Sequence, residues 1–312
     1  MVSLAFHWCV NVRRRYVKVL STLLPALVAL ISIAVPPWGS PALSSESSDS
    51  FKVILGCEVP EGLPSEMPLL RIIPEPLPID SWLLVAREVF NMTGELELEY
   101  TQDPFYPSLF RELWISSKEA SLIISCGGSF RWRRKNINWH LEPLPSLREA
   151  KTMADRVLKA IRRHDLIPDY VQVEFEDVFH SVWEESKPAG ITVSYAIRLH
   201  GFPFYGDFSV DVNAQGVIGV CATWKFVEVD RSVEILPLDK ALDRIADYMP
   251  RPKCPVRIDK VIINEAVLGY AKLRDNPYIV PAYLLHATMV FENGESHDFH
   301  MSLPAVSEVP EA

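Results

Sequence analysis

The side chains best suited to metal binding are the eight histidines of the chain, and their spacing decides what they can do. The densest group is His297-Asp298-Phe299-His300. If this segment is a strand, side chains three residues apart point to opposite faces, so its two imidazoles do not converge. The chain also lacks an HExxH sequence, which supplies the ligands and the base of many metalloproteases. The pattern therefore predicts no metal site.

The cysteines do not form a CxxC pair, which is the spacing typical of zinc ligands and redox dithiols. Four of the five, Cys57, Cys126, Cys221 and Cys254, follow the N-terminal segment. An even number permits two disulfides in an exported protein. The alternative is buried thiols, because Cys126 and Cys221 end apolar, strand-like runs.

Carboxylates that could serve as an acid–base pair are concentrated at Glu174-Phe175-Glu176-Asp177. On a strand, Glu174 and Glu176 share one face and Asp177 lies on the other, which is more typical of a solvated strand than of a catalytic pair. GxSxG, P-loop and dinucleotide-binding sequences are absent. We therefore expect no catalytic residue and no cofactor, and we predict that the protein is not an enzyme.

One short run combines basic and aromatic residues and is the candidate site of partner contact. It comprises Arg131, Trp132, Arg133, Arg134 and, slightly later, Trp139. Arginine and tryptophan are common anchors of protein interfaces, so the run predicts a contact for an acidic protein or wall polymer. The alternative is an amphipathic edge strand with solvated arginines.

Charge is unevenly distributed along the 312 residues, of which 31 are basic and 40 acidic. Residues 1–18 are basic, residues 19–35 are uncharged and mostly apolar, and the remainder is acidic, which argues against binding nucleic acid. The N-terminal pattern predicts either a cleaved signal peptide or a transmembrane anchor. Arg13-Arg14 also resembles a twin-arginine export signal. Each alternative places the rest of the protein outside the cytoplasm, secreted or membrane-anchored.

Three segments share a Leu-Pro start followed by apolar residues at helical spacing, and they begin at Leu77, Leu144 and Leu236. Proline suits the first turn of a helix. In the second segment Ser146 and Glu149 match a capping box. Because each segment precedes residues typical of strands, we predict an α+β fold of repeated units, each with one helix packed on an antiparallel sheet. The alternative is three unrelated helices in an α+β protein.

This repeat predicts the domain organisation, with hairpin signals at Gly127-Gly128 and Asn293-Gly294. The predicted segments are a signal peptide or anchor at 1–42, a linker at 43–68 that can hold a short strand at Phe51–Cys57, a first α+β unit at 69–142, a second at 143–232, a third at 233–304 and a tail at 305–312.

The second unit resembles a known family. Residues Tyr195–Leu199, the turn Gly201-Phe202-Pro203-Phe204-Tyr205-Gly206 and the strands up to Val220 resemble PepSY and thermolysin-propeptide domains. In the third unit, Gly269-Tyr270 and Pro281-Ala282-Tyr283 resemble the C-terminal part of YycH/YycI proteins, which usually carry tryptophan at the place of Tyr283. These proteins are extracytoplasmic regulators of a sensor histidine kinase.

The resemblance implies a non-catalytic regulatory or adaptor protein that binds the ectodomain of a membrane protein, with a sensor kinase as the expected partner. Its alternative implication is a PepSY-like inhibitor or chaperone of a secreted peptidase. A retained N-terminal segment favours the regulator, and a cleaved one favours the inhibitor.

Overall fold

The computed structural model describes residues 51–73, 79–102, 111–125, 127–139, 141–184, 187–249, 257–273 and 276–310. Within these ranges the chain forms fourteen strands and four helices. The strands are β1 (Lys52–Leu55), β2 (Glu66–Ile72), β3 (Glu97–Gln102), β4 (Arg111–Ser116), β5 (Ala120–Ser125), β6 (Phe130–Arg134), β7 (Val171–Glu184), β8 (Lys187–Leu199), β9 (Phe202–Asn213), β10 (Gly216–Ala222), β11 (Val227–Glu234), β12 (Ile258–Lys272), β13 (Tyr278–Phe291) and β14 (Ser296–Pro304). The helices are α1 (Ile79–Glu88), α2 (Leu147–Arg163), α3 (Leu238–Leu242) and α4 (Ile245–Tyr248).

The fourteen strands belong to one mixed sheet made of two halves. The first half-sheet is antiparallel, in the order β7-β8-β9-β10-β6-β5-β4-β3. The second half-sheet contains β1, β2 and β11–β14, and its early strands are paired with late ones. Strand β2 lies between β11 and β13, and β1 runs parallel to β12. Strands distant in sequence are therefore neighbours in space.

The two half-sheets meet where β12 runs parallel to β9, with Tyr270 opposite Phe204. Gly269 permits this close approach, because a Cβ atom at this position would lie 2.2 Å from the carbonyl oxygen of Pro203. The ring of Tyr270 also packs edge-on against Phe202, with centroids 6.1 Å apart. A glycine at residue 269 is therefore a steric requirement of the junction.

Helix α2 forms as the sequence predicts. Its capping box is present, since Ser146 accepts a hydrogen bond from the Glu149 backbone N–H and Glu149 accepts one from the Ser146 backbone N–H. The buried face consists of Ala150, Ala154, Leu158 and Ile161 and packs mainly on β8 and β9. At the edge of this contact, the hydroxyl of Tyr195 donates a hydrogen bond of 2.6 Å to Asp155.

The third Leu-Pro segment forms only two short helical pieces, α3 and α4, separated at Asp243 and Arg244. Pro237 occupies the N-cap position of α3 and has no side chain that could accept a hydrogen bond there. Both pieces bury apolar side chains beside β14. The third segment is therefore much shorter than α2.

The predicted fold class is wrong. The protein is mostly β, and its large mixed sheet replaces the expected series of helix-on-sheet units. The three Leu-Pro segments produce helices of 10 and 17 residues and a broken helix of 5 and 4 residues. Helix starts are local signals, whereas the order of strands depends on pairings between distant segments, and those pairings cross the predicted boundaries at 68/69, 142/143 and 232/233.

The helices pack on one side of the sheet, which we call the helix face, and the opposite side is the open face. On the helix face, Trp82 of α1 packs against Phe130 of β6 with ring centroids 5.2 Å apart. Further along this face, the hydroxyl of Tyr283 donates a hydrogen bond to the backbone oxygen of Leu236, just before α3. The open face carries the candidate site.

Candidate functional site

The predicted basic and aromatic run forms β6, which lies inside the sheet between β5 and β10 rather than at an edge. Strand alternation separates its side chains: Arg131 and Arg133 are exposed on the open face, whereas Trp132 is buried on the helix face. The ring of Trp132 stacks on Phe90 with centroids 5.0 Å apart and an interplanar angle of 9°. Trp132 is therefore a core residue and is not available to a partner.

The other two residues of the predicted site are also placed apart from the arginine pair. Arg134 is half-buried at the end of β6, and Trp139 is half-buried in the following turn. The backbone of Asn138, next to Trp139, donates a hydrogen bond to Gln215 and accepts one from Asn213 at the β9–β10 turn. The structure thus brings Arg131 and Arg133 together but not the five residues of the run.

Arg131 and Arg133 lie at the centre of two rows of side chains that cross the first half-sheet on its open face. We call these rows the open-face array. The row through Arg131 is Glu99, Trp114, Ile123, Arg131, Cys221, Ser209, Ser194 and Asp177. The row through Arg133 is Glu97, Ser116, Ser121, Arg133, Gly219, Asp211, Thr192 and Phe179. Seven strand spacings of roughly 4.8 Å make the array about 34 Å long.

Asp211 is the most engaged carboxylate of the array. Its side chain lies over Gly219, where a Cβ atom would be only 2.9 Å from its Oδ2 atom. It accepts a hydrogen bond of 2.7 Å from the hydroxyl of Thr192. Burial raises the pKa of Asp211, while the hydrogen bond from Thr192 and the charge of Arg133 lower it. The row through Arg133 is therefore held together by interactions between its own members.

Cys221 is the nucleophilic group nearest to the arginines, and it is poorly suited to covalent catalysis. Burial, with a further contribution from Asp207, raises the pKa of its thiol to about 11, although Arg131 acts in the opposite direction. Only the thiolate is a good nucleophile, so almost all of Cys221 is in the unreactive form near neutral pH. The thiol is a small, half-buried part of the surface.

Large aromatic side chains flank the small residues of the array. Trp114 on β4 and Phe179 on β7 are 36% and 45% exposed. The indole N–H of Trp114 donates a hydrogen bond of 3.1 Å to Glu112, which orients the ring. Between these two aromatic residues the array carries serines, a threonine and a glycine, together with Ile123, Cys221, Asp211 and the two arginines. Each side of the array thus exposes one large aromatic ring to another molecule.

Carboxylates occupy both ends of the array and the arginines its centre. Glu97 and Glu99 lie on β3, and Asp177 lies on β7 at the other end. Apart from Asp211, which lies two strands from Arg133 in the same row, the charges follow an acidic–basic–acidic order that a protein surface with the opposite order would complement. Its groups offer hydrogen bonds, charge and aromatic contact, and the carboxylates at the two ends are too far apart to act as a pair.

The predicted separation of His297 and His300 agrees with the structure. His297 packs edge-on against Phe291, with ring centroids 5.5 Å apart, whereas His300 stacks on His286 of the neighbouring strand. His164 follows α2 and lies 3.3 Å from a carboxylate oxygen of Glu88. The described residues contain no group of three or more His, Cys, Asp or Glu side chains placed to hold a metal ion.

The structure describes two of the four cysteines considered for disulfides, Cys57 and Cys221, and both are free thiols. Cys126 and Cys254 lie outside the described residues.

Comparisons with known proteins do not identify a family. No protein-family model matches the chain, and no curated protein matches it. Among solved structures, it is similar to an uncharacterized protein from Eubacterium rectale ATCC 33656, known from a crystal structure at 1.45 Å resolution. The two share 11% sequence identity over 78% of this chain and 85% of that chain, with a TM-score of 0.45. A similarity of this degree names neither a family nor an activity.

The comparisons therefore give no support to the expected resemblance to PepSY and YycH/YycI proteins, and the mostly β sheet contradicts the repeated architecture that it implied. The expected transmembrane helix is also not supported. None of the described helices is long and apolar enough to cross a membrane. The basic and apolar residues 1–35, on which that expectation depended, lie outside the described ranges.

Proposed function

We propose that this protein is a non-catalytic binding protein that acts outside the cytoplasm and contacts another protein, the ectodomain of a membrane protein, through the open-face array. The observation that carries this proposal is the pair of exposed aromatic rings, Trp114 and Phe179, on either side of the two arginines. The small residues of the array allow a partner to approach the sheet closely, while the aromatic rings supply large contact areas.

The chemistry of the array supports binding over catalysis. The Cys221 thiol is held protonated, and the Asp211 carboxylate is occupied by Thr192 and the charge of Arg133. The order of charges favours a partner with an acidic centre flanked by basic residues, because like charges facing each other across an interface cost several kcal/mol. The basic and apolar start of the chain supports the location outside the cytoplasm.

Two phenylalanines of β7 provide a matched pair of probes for this proposal. Phe175 and Phe179 are each 45% exposed, but Phe179 lies on the open face and Phe175 packs beside Tyr195 and Lys151 on the helix face. A photoreactive phenylalanine analogue at residue 114 or 179 should crosslink a single membrane-protein ectodomain in intact cells. The same analogue at residue 175 should not crosslink it.

The affinity of the captured ectodomain for purified protein then tests the site itself. Trp114→Ala and Phe179→Ala should each weaken binding by about tenfold or more, as expected for aromatic anchors, and Phe175→Ala should leave it unchanged. Equal crosslinking from residues 175 and 179, or capture of soluble peptidases alone, would overturn the proposal.

A further inference from the structure

A second cluster of polar side chains lies on the open face of the second half-sheet. His286 on β13 is directly opposite His300 on β14, and both point away from the buried neighbours Leu285 and Met301. The two imidazole rings stack with their centroids 4.7 Å apart and an interplanar angle of 16°. They are therefore neighbours in space although fourteen positions separate them in the sequence.

Hydrogen bonds between side chains next to the two imidazoles connect the strands that carry them. In the next cross-strand pair, the Thr288 hydroxyl donates a hydrogen bond of 2.6 Å to Asp298 and accepts one of 2.8 Å from the side-chain amide of Asn264. This chain of hydrogen bonds links β12, β13 and β14. Glu265 on β12 lies opposite His286 on the other side, so a carboxylate continues the row.

We propose that His286 and His300 form a two-imidazole binding site for a late first-row transition-metal ion, with Cu²⁺ bound most tightly. Neutral imidazole is a preferred ligand of copper, nickel and zinc, and the affinity of a given nitrogen site generally peaks at Cu²⁺. The site is open, so water molecules occupy the remaining coordination positions. Glu265 is placed to accept a hydrogen bond from a metal-bound water molecule.

The geometry permits this coordination with a small side-chain movement. Directly opposite residues in an antiparallel pair have Cβ atoms about 4.5–5.5 Å apart. With metal–nitrogen bonds of about 2.0–2.1 Å, two ligating nitrogens must come within about 4 Å of each other. Because the ring centroids are already 4.7 Å apart, we expect rotation of the two side chains to bring one nitrogen of each toward a common point.

Two other described histidines are arranged differently and serve as internal controls. His297 packs on Phe291 at the opposite side of β14, and His200 stacks on Tyr170 with centroids 5.0 Å apart. Neither has a second imidazole beside it in the described part of the chain. A site that needs two imidazoles therefore distinguishes His286 and His300 from these two residues.

The test is a titration of the full-length protein, without a histidine tag, with Cu²⁺, followed by calorimetry and by electron paramagnetic resonance. The wild-type protein should bind one ion with nitrogen hyperfine structure from two equivalent ligands. His286→Gln and His300→Gln should each raise the dissociation constant by about tenfold or more, because the loss of a direct ligand costs at least as much as the loss of an outer-shell partner.

The control is His297→Gln, which removes a histidine three residues from His300 and should leave the dissociation constant unchanged. His297 and His300 are exposed and His286 is half-buried, and far-UV circular dichroism verifies that each variant is folded. Equal affinity of the wild-type protein and the His286→Gln/His300→Gln double variant would overturn the proposal, as would a loss of affinity in His297→Gln equal to that in His300→Gln.

Discussion

Replacement of Gly269 by alanine tests how the two half-sheets are joined. The added Cβ atom would lie 2.2 Å from the carbonyl oxygen of Pro203 and 3.1 Å from a methyl group of Leu284. The nearer atom belongs to the backbone of β9, so it cannot rotate away as a side chain can. Relief of the contact requires β12 and β9 to separate by about 1 Å, because interiors are close-packed and atoms rarely approach within about 3 Å without a bond.

The cost of this change is the difference between two effects. Overpacking of a well-packed interior typically costs about 1–3 kcal/mol, and a clash with backbone belongs at the upper end of that range. Alanine also restricts the unfolded chain, which stabilises the protein by about 0.4–1 kcal/mol. We therefore expect the free energy of unfolding to fall by about 2 kcal/mol, which corresponds to roughly a thirtyfold change in the unfolding equilibrium constant.

Urea denaturation followed by two probes measures both the loss and its location. The described tryptophans all lie between residues 82 and 224, so with Trp8 and Trp38 replaced by phenylalanine indole fluorescence reports the first half-sheet, whereas far-UV circular dichroism reports both halves. The two transitions should coincide in the wild-type protein and separate in Gly269→Ala. The control is Gly294→Ala, in which the new Cβ atom meets no atom within 4 Å and the only cost is that of a positive φ angle. A free energy of unfolding within 0.5 kcal/mol of wild type for Gly269→Ala would refute the steric account.

Three further experiments test other parts of the structure. Ser146→Ala removes the N-cap of α2 and should lower the free energy of unfolding by about 1 kcal/mol in urea denaturation, with Ser146→Asp close to wild type. Alkylation of Cys221 by iodoacetamide at pH 8 should be on the order of a hundredfold slower than that of an ordinary thiol, because the pKa of Cys221 is about 11. Asp207→Asn should accelerate this alkylation by lowering the pKa of the thiol, and an unchanged rate would contradict the role of Asp207. Trp132→Phe removes a buried indole N–H that has no hydrogen-bond partner in the described structure, so the free energy of unfolding should fall by less than about 1 kcal/mol. Trp132→Ala should lower it by about 3–5 kcal/mol, because it leaves a large cavity. Similar losses for the two variants would contradict this explanation.

Local features of the fold were predictable from the sequence, because they depend on residues a few positions apart. The capping box at Ser146 and the helix that follows it are both present. The Gly127-Gly128 and Asn293-Gly294 turns connect antiparallel strands as expected, with positive φ angles at all three glycines. The pairings of β2 with β11 and β13 join residues more than 150 positions apart and follow no local signal. For this reason the repeat model gave helix starts correctly and the fold class incorrectly.

The candidate site was predictable only in part. The alternation of β6 alone implies that Trp132 faces away from Arg131 and Arg133, and treating the run as one patch overlooked that implication. The partners of the arginines could not be predicted from strand alternation, because Asp211 is 78 positions after Arg133 and lies two strands away. His286 was missed for the same reason, because it lies on a different strand from His297-Asp298-Phe299-His300.

The place of β2 between β11 and β13 has a consequence for how the molecule is made. During synthesis the residues up to Ile72 emerge long before Tyr278, the first residue of β13. At about 5–20 residues per second, β2 waits roughly 10–40 s for that neighbour. The edge of β2 that pairs with β13 thus stays without its partner until nearly the whole polypeptide has been synthesised. The second half-sheet is therefore completed by the last strands to be synthesised.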